Sequence, residues 1–387
     1  MKHLRFHANE DPVGGRENGV DPVFLVLVLT LLVLGLLMLW SASFPQSEFD
    51  SNYTESTRYF RKQAICALLG LGCMAVFSRI PVQLWRKSAW QIYAVSIALL
   101  LAVLVVGQSV NGAKRWVSIA GIQFQPSEIA KFAVIVVFAR LGRTYGPRAE
   151  EFRYGVLGFG TALMGILVPL ALEKHLSAIM LIGMVAVVMM FLSGTRIKFL
   201  LMGAVLAAAF VLVYITFMGY AGDRVTAWLD PYSDPSDKGY QILQSLYAIG
   251  SGGIFGLGFG RGKQKYLYLP FQYNDYIFAI VCEELGLLGA LGIMVLFASL
   301  ILRGYHIALK ARDRFSSMLA AGLTTLLAVQ TVLNLCVVTN LLPSTGIALP
   351  FFSYGGTALA VNLGEMGIIL GISRQREEPK LQEEEML

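Results

Sequence analysis

The feature that most constrains this chain is a series of long apolar runs separated by short polar connections. The first, Val23 to Trp40, has 18 residues with Thr30 as its only polar member, and it is long enough to cross a bilayer. Further runs follow at roughly 63–80, 89–107, 127–142, 155–172, 176–193, 197–218, 275–302, 316–340 and 350–372. The pattern predicts an all-α polytopic membrane protein with about ten transmembrane helices.

Composition excludes the other classes of protein. Of the 387 residues, 56% are hydrophobic and only 14% are charged, whereas a soluble domain carries about 25% charged residues. Soluble domains could not cover their surfaces with so few charges, and the chain is too apolar to be disordered. The net charge of +6 fits basic loops facing an anionic cytoplasmic leaflet better than it fits nucleic-acid binding.

The distribution of Lys and Arg predicts the orientation in the membrane. With an even number of spans and a cytoplasmic N-terminus, most basic residues fall on the inner loops and the two tails, as the positive-inside rule requires. The predicted organisation is a cytoplasmic tail (1–20), a ten-span membrane domain (21–373) and a second cytoplasmic tail (374–387). Residues 219–274 form a long extracytoplasmic loop between spans 7 and 8. Apolar residues at helical spacing from Tyr240 to Ile249 predict an amphipathic helix at the outer interface.

Charged residues in or beside the spans are candidates for chemistry, because each costs about 2.5–3.5 kcal/mol to insert. Glu128 and Lys131 lie three residues apart on one helix face, so they form either a structural ion pair or a buried charged site. Glu173 and His175 occupy the short connection between two runs. His175 is either a proton carrier near neutral pH or a residue that caps a helix or lies among headgroups.

Asp275 stands at the start of the run 275–302, directly after an aromatic-rich stretch. At the outer mouth of a span, partial burial can raise the pKa of an aspartate enough for it to act as a general base. Aspartate is also a favoured helix N-cap. The residues alone leave both interpretations open.

Basic residues form two clusters on loops predicted to face outward. The clusters are Lys114-Arg115, and Arg261 with Lys263 and Lys265 after the glycine-rich stretch 256–260. No strand precedes the glycines, so a dinucleotide site is excluded. The clusters and the backbone N–H groups of the glycine turn suit a ligand with a diphosphate and a sugar, and simple anchoring to headgroups is the alternative.

Four blocks of sequence make the chain recognisable. They are Asn111-Gly-Ala-Lys-Arg-Trp-Val, Phe124-Gln-Pro-Ser-Glu-Ile-Ala-Lys131, Gly239-Tyr-Gln-Ile-Leu-Gln-Ser-Leu-Tyr-Ala-Ile-Gly-Ser-Gly-Gly253 and Leu341-Leu-Pro-Ser-Thr-Gly-Ile-Ala-Leu-Pro-Phe-Phe-Ser-Tyr-Gly-Gly356. Over roughly residues 20 to 375 the chain resembles the FtsW/RodA/SpoVE family. The resemblance implies a multi-pass glycosyltransferase of the bacterial cytoplasmic membrane, with both termini cytoplasmic and an extracytoplasmic active site. It would polymerise lipid II into β-1,4-linked peptidoglycan strands by an inverting mechanism.

The resemblance also assigns roles to residues. The family's Leu-Pro-Glu-x-His-Thr-Asp-Phe-Ile-Phe-Ala pattern matches residues 269–279, which makes Asp275 the catalytic general base. Phe271, Tyr273 and Asn274 replace the Glu, His and Thr of that pattern. The predicted substrate-binding residues are Lys114, Arg115, Glu128, Lys131, Glu173, His175, Lys263, Lys265 and Ser353. No cofactor is certain, although a divalent cation such as Mg2+ or Mn2+ would stabilise the leaving diphosphate.

The expected partners are lipid II, a class B penicillin-binding protein, other divisome membrane proteins and membrane lipids, with no nucleic acid. The block 239–260 favours the division or sporulation branch over the elongation branch that governs cell shape. Two alternatives remain: a lipid-linked precursor transporter (flippase), or a divisome scaffold that has lost activity. The position of Asp275 at the outer mouth of a span favours chemistry on substrate that has already crossed the membrane.

Overall fold

The computed structural model describes residues 19–110, 113–119, 122–205, 226–237 and 239–374, and within these it is predominantly helical. The helices are α1 (Pro22–Asp50), α2 (Arg58–Phe77), α3 (Val82–Lys87), α4 (Ala89–Val106), α5 (Pro126–Tyr145), α6 (Phe159–Leu172), α7 (Leu176–Leu192), α8 (Tyr240–Gly252), α9 (Ile277–Leu309), α10 (Arg314–Val338) and α11 (Gly356–Ser373). A 3-10 turn (Gly146–Glu150) and a π-helical turn (Arg153–Gly158) connect α5 to α6.

Within the described residues, seven helices are long and apolar enough to cross a membrane: α1, α2, α4, α6 with its π turn, α9, α10 and α11. Helix α7 is apolar but shorter, at 17 residues. Helix α5 has 20 residues and carries Glu128 and Lys131. The run predicted at 197–218 is helical over 197–205, and the rest of it lies outside the described residues, as do most of both tails. The polytopic helical architecture is confirmed, and the number ten stays a prediction.

The structure differs from the sequence expectation in three places. Strands β1 (Gln108–Val110), β2 (Ala113–Ile119) and β3 (Ile122–Phe124) form a small antiparallel sheet in the order β1-β2-β3, which no apolar run indicated. The last apolar run is helical only from Gly356, because residues 341–355 form turns, with Phe351 at φ 66°. Helix α9 is interrupted at Gly286, whose φ of 67° lies outside the helical region.

Loops that the basic-residue pattern places on one side of the membrane are joined by contacts at one end of the helix bundle. These contacts are Arg140 to the Arg86 carbonyl (3.0 Å), Arg143 to Asp313 (3.7 Å), Arg314 to the Ser193 carbonyl (2.9 Å), Arg303 to Asp21 (2.9 Å) and the Asp21 amide to the Ser373 hydroxyl (3.0 Å). Asp21 also caps α1 by accepting from the Phe24 amide. The grouping agrees with the predicted topology, and which side faces the cytoplasm stays a prediction.

The long loop between the predicted spans 7 and 8 contains the predicted helix. Helix α8 (Tyr240–Gly252) buries Ile242, Leu243 and Ala248 and packs against α9. Its buried apolar side follows the spacing seen in the sequence. Its depth relative to the bilayer stays a prediction.

Candidate active site

Asp275 lies where three parts of the chain meet. It is partly exposed in the turn before α9, and Tyr276, not Asp275, takes the N-cap position of that helix. Its backbone carbonyl accepts a hydrogen bond of 2.7 Å from the Nδ2 group of Asn334 on α10. Its carboxylate lies over Gly346, since a Cβ atom added there would be 3.2 Å from Oδ2. The carboxyl group is therefore positioned by α9, α10 and the segment 341–355.

Asn334 and Ser353 tie the segment 341–355 to the Asp275 turn. The Nδ2 group of Asn334 also donates to the Ile347 carbonyl at 2.7 Å. The hydroxyl of Ser353 donates to the Asn274 carbonyl and accepts from the Leu349 amide, each at 2.7 Å. Ser353 was predicted to bind substrate; in the structure it is buried beside the Asp275 turn and both of these bonds are internal.

Helix α2 supports the same segment through Gln63, which is fully buried. Its amide group donates to the Ser353 carbonyl and accepts from the Gly355 amide, each at 3.2 Å. Neither Gln63 nor Asn334 was identified from the sequence. A single amide residue within an apolar run gives no sign of which distant carbonyl it will bond.

We expect Gly346→Ala to lower activity more than it lowers stability. Gly346 has φ 68° and its added methyl would press on the Asp275 carboxylate, while the positive φ costs a non-glycine residue about 1–2 kcal/mol. Product formation should fall more than tenfold by the scale of catalytic misplacement. Gly194→Ala is the matched control, because Gly194 has φ 96° and nothing within 4 Å of an added methyl. Equal activities of the two variants would contradict the placement of the carboxylate.

A second charged group surrounds the start of α5. Lys131 pairs with Glu128 at 2.7 Å, and both are buried. Lys131 also interacts electrostatically with Glu365 of α11 and with His175 at the start of α7. Glu365 was not predicted from the sequence. The pair is thus part of a wider cluster and not an isolated link within one helix.

Arg115 and the connection before α7 extend this cluster outward. Arg115 donates to the Lys174 carbonyl, and Nε2 of His175 lies 3.4 Å from the amide nitrogen of Gln125. Burial, helped by the positive charges of Arg115 and Lys131, lowers the pKa of His175 to about 3. The imidazole is therefore neutral at physiological pH, which argues against a proton carrier that titrates near neutrality.

The pKa of Glu173 is raised, whereas that of His175 is lowered. Burial raises its pKa from 4.5 to about 8, although the Arg115 guanidinium lowers it in part. A raised folded-state pKa stabilises the protein at low pH, and this contribution is lost as the pH rises through 8.

The thermal midpoint of the wild type should therefore fall between about pH 5 and pH 9, and Glu173→Gln should flatten that profile. Unfolding in detergent, followed across this pH range, measures both curves. Glu150→Gln is the control, because Glu150 lies exposed at the other end of the bundle. If the thermal midpoints of the wild type and of Glu173→Gln changed in parallel with pH, the raised pKa of Glu173 would be contradicted.

The Asp275 site and the charged cluster around Lys131 are linked through the segment 341–355. The hydroxyl of Ser177, two residues after His175, donates to the Thr345 carbonyl. Thr345 precedes Gly346, which lies under the Asp275 carboxylate. The segment 341–355, which includes Ser353, therefore contacts both Asp275 and Ser177, and Ser177 lies close in the chain to Glu173 and His175.

The glycine-rich loop does not make the contacts with a lipid headgroup that the sequence suggested. Its backbone N–H groups were expected to meet a lipid headgroup, but they bond to carboxylates of α9. Gly260 donates to Glu284 (2.9 Å), whereas Lys263 and Gln264 donate to Glu283 (2.7 and 3.2 Å). The loop does bind anions, as such turns do, but the anions belong to the protein.

Lys265 is enclosed by the same arrangement. Its ammonium group lies 2.8 Å from Glu284 and 2.8 Å from the hydroxyl of Ser41 on α1, and Lys265 and Glu284 are both almost completely buried. Lys263 is exposed. Lys114 lies in β2 opposite Ser109, and its side chain is outside the described part of the structure. The roles of these three lysines in substrate binding stay predictions.

No group of three or more His, Cys, Asp or Glu side chains in the described residues is arranged to hold a metal ion. The expected divalent cation therefore has no assigned ligands here, and it remains a prediction from the chemistry of diphosphates.

The fold and site together define a polytopic membrane protein with an acidic site at one end of its helix bundle. The FtsW/RodA/SpoVE family model, described as "Cell cycle protein", matches residues 22–378. The chain belongs to this family.

Known relatives match this chain over most of its length. "Probable peptidoglycan glycosyltransferase FtsW" of Geobacter sulfurreducens is 38% identical over 91% of this chain and 95% of its own length. "Stage V sporulation protein E" of Bacillus subtilis is 36% identical over 92% and 98%.

Solved structures show the same fold. A chain from "Structural coordination of polymerization and crosslinking by a peptidoglycan synthase complex" matches with a TM-score of 0.78 and 28% identity, over 93% of this chain and 99% of that one. The rod shape determining protein RodA of Thermus thermophilus matches with a TM-score of 0.69 and 24% identity, over 93% and 98%.

Proposed function

We propose that this chain is a peptidoglycan glycosyltransferase that polymerises lipid II into β-1,4-linked glycan strands at the outer face of the cytoplasmic membrane, in cell division or sporulation. The observation that carries the proposal is the Asp275 carboxylate, held at the mouth of α9 by contacts from α10 and the segment 341–355. The relatives' names, glycosyltransferase and sporulation protein, support the reaction class and the process.

Asp275 acts as the general base of an inverting displacement. Its carboxylate takes the proton from the 4-hydroxyl of the acceptor sugar while that oxygen attacks C1 of the donor sugar. The bond from C1 to the diphosphate breaks, the undecaprenyl diphosphate leaves with its electron pair, and the α-linked centre becomes β-linked. Asp275 then returns its proton to water.

Cationic side chains stabilise the charge that develops on the diphosphate. Arg115 is the candidate best placed for this, since it is partly exposed at the outer end of the Lys131 cluster. Lys265 is less suited, because its ammonium group is already paired with Glu284. A membrane protein suits this substrate because the lipid tail stays in the bilayer.

The replaced residues around Asp275 do not argue for an inactive scaffold. The turn is supported through its own main-chain carbonyls: the Tyr354 amide donates to the Tyr273 carbonyl at 2.8 Å, and the Ser353 hydroxyl donates to the Asn274 carbonyl. Such bonds form whatever side chains stand at 273 and 274. The support for Asp275 therefore survives the changes from the family pattern.

The expected partner is a class B penicillin-binding protein, in agreement with the match to a chain of a peptidoglycan synthase complex. Other divisome membrane proteins and membrane lipids complete the expected surroundings, with both termini cytoplasmic.

The test supplies lipid II to the purified chain, alone and with its cognate penicillin-binding protein, and sizes the products on a gel. Polymer that depends on this chain supports the proposal. Absence of polymer under every partner condition would overturn it. Movement of lipid II across vesicles without polymer would favour the transporter.

A further inference from the structure

Three tyrosine rings pack together near Asp275, with one pair tilted by 34° and the other two pairs edge-on at 87° and 68°. Tyr59 lies in the first turn of α2, Tyr273 precedes the aspartate by two residues, and Tyr354 belongs to the segment 341–355. The ring centroids are 4.7 Å apart for Tyr59 and Tyr273, 5.0 Å for Tyr59 and Tyr354, and 5.8 Å for Tyr273 and Tyr354. We call these three side chains the tyrosine platform.

The platform belongs to the same turn as Asp275. Two residues of extended chain span at most about 7 Å, which bounds the separation of the Cα atoms of Tyr273 and Asp275. The Tyr354 amide donates to the Tyr273 carbonyl at 2.8 Å, so Tyr354 is joined to this turn through the main chain. Tyr273 and Tyr354 are therefore carried by the backbone that also carries the carboxylate.

The three tyrosine rings are more exposed to solvent than a tyrosine of the core. Each is partly exposed, whereas the neighbouring Tyr276 is only 1% exposed and packs in the core. The hydroxyl of Tyr59 donates to the Asp50 carboxylate, which fixes that ring. Burial raises the pKa of Tyr273 and of Tyr354, so both phenols stay neutral at physiological pH.

We propose that the tyrosine platform binds the pyranose ring of the acceptor sugar and presents its 4-hydroxyl to Asp275. One face of a pyranose carries mainly C–H groups, and burying such an apolar face against aromatic rings is favourable. The phenol hydroxyl of Tyr354 can bond the ring substituents, whereas the hydroxyl of Tyr59 is already bonded to Asp50 and to the Tyr273 hydroxyl. This inference rests on the proposed function, because it takes Asp275 as the reacting base.

The test measures binding without turnover, in the Asp275→Asn background, with the full-length protein in nanodiscs and fluorescent lipid II as the probe. Tyr273→Leu removes the ring and should weaken lipid II binding about tenfold, whereas Tyr273→Phe keeps the ring and should stay within about twofold. Tyr232→Leu is the matched control, since Tyr232 is an exposed tyrosine of the same outer loop. Its affinity should equal that of the parent.

Undecaprenyl diphosphate, which has no sugar, is the second probe. Its affinity should be the same for the parent and for Tyr273→Leu. Equal lipid II affinities of Tyr273→Leu and the parent would overturn the proposal. An equal loss for both ligands would also overturn it, because it would show distortion of the site instead of lost sugar contact.

In the active protein, Tyr273→Leu should raise KM for lipid II more than it lowers kcat. A fall in kcat and in the thermal midpoint at unchanged KM would show that the rings merely brace the Asp275 turn. If the wild type makes no polymer, the proposed function fails, whereas the ratio of the two ligand affinities still tests the platform by itself.

Discussion

Asp275→Asn should abolish polymerisation of lipid II while leaving the fold intact. Asparagine has the size of aspartate and keeps the main-chain carbonyl that accepts from Asn334, but its amide cannot take a proton from the acceptor hydroxyl. General-base catalysis contributes about 10²–10⁴-fold, so the rate should fall by about three orders of magnitude. The measurement is the initial rate of lipid II consumption with the penicillin-binding partner present.

Two comparisons make this result specific. Asp237→Asn changes an exposed acid of the same outer loop and should polymerise at the wild-type rate. The thermal midpoint of Asp275→Asn should match the wild type within about 2 °C, since surface changes usually alter stability by less than about 0.5 kcal/mol. A variant that retains more than a tenth of the activity would contradict the base assignment.

Lys265→Met should be the most destabilising single change in the outer loop. It leaves the Glu284 carboxylate, which is fully buried, without its cation. Removing one partner of a buried ion pair costs about 3–5 kcal/mol, and each kcal/mol lowers the midpoint by about 1–2 °C in a chain of 387 residues. Thermal unfolding in detergent, followed by size-exclusion chromatography, measures the change.

Lys263→Met is the control, because Lys263 is exposed and bonds Glu283 through its backbone amide alone among the contacts described. Its midpoint should stay near the wild type. In the double variant Lys265→Met/Glu284→Gln, the uncharged amide still accepts from Gly260 and Ser41, so stability should recover in part. A midpoint of Lys265→Met equal to that of Lys263→Met would show that the buried pair is not a stabilising contact.

The membrane architecture and the position of the aspartate could be predicted because they depend on local patterns. Apolar runs of span length and an acid at the start of one are visible in the sequence alone. Helix α8 was predicted for the same reason, since Ile242, Leu246 and Ile249 recur at helical spacing.

The support of the site could not be predicted, because it depends on contacts between residues far apart in the chain. Asn334 reaches Asp275 across 59 positions and Gln63 reaches Ser353 across 290. Neighbours on a regular helix face different ways, so the sequence does not indicate that one loop bonds both Glu283 and Glu284 of α9. The loop wraps this helix close to its break at Gly286, so that separate N–H groups meet each carboxylate.

The contacts of Glu284 with Ser41, Gly260 and Lys265 can form only in a certain order during synthesis of the chain. Ser41 belongs to the first span to emerge from the ribosome, and Glu284 follows it by 243 residues. The glycine-rich loop is synthesised before the carboxylates that its N–H groups require, and so it cannot settle until α9 has followed it to the membrane. A nascent chain that stops short of residue 284 lacks the carboxylate that pairs with Lys265.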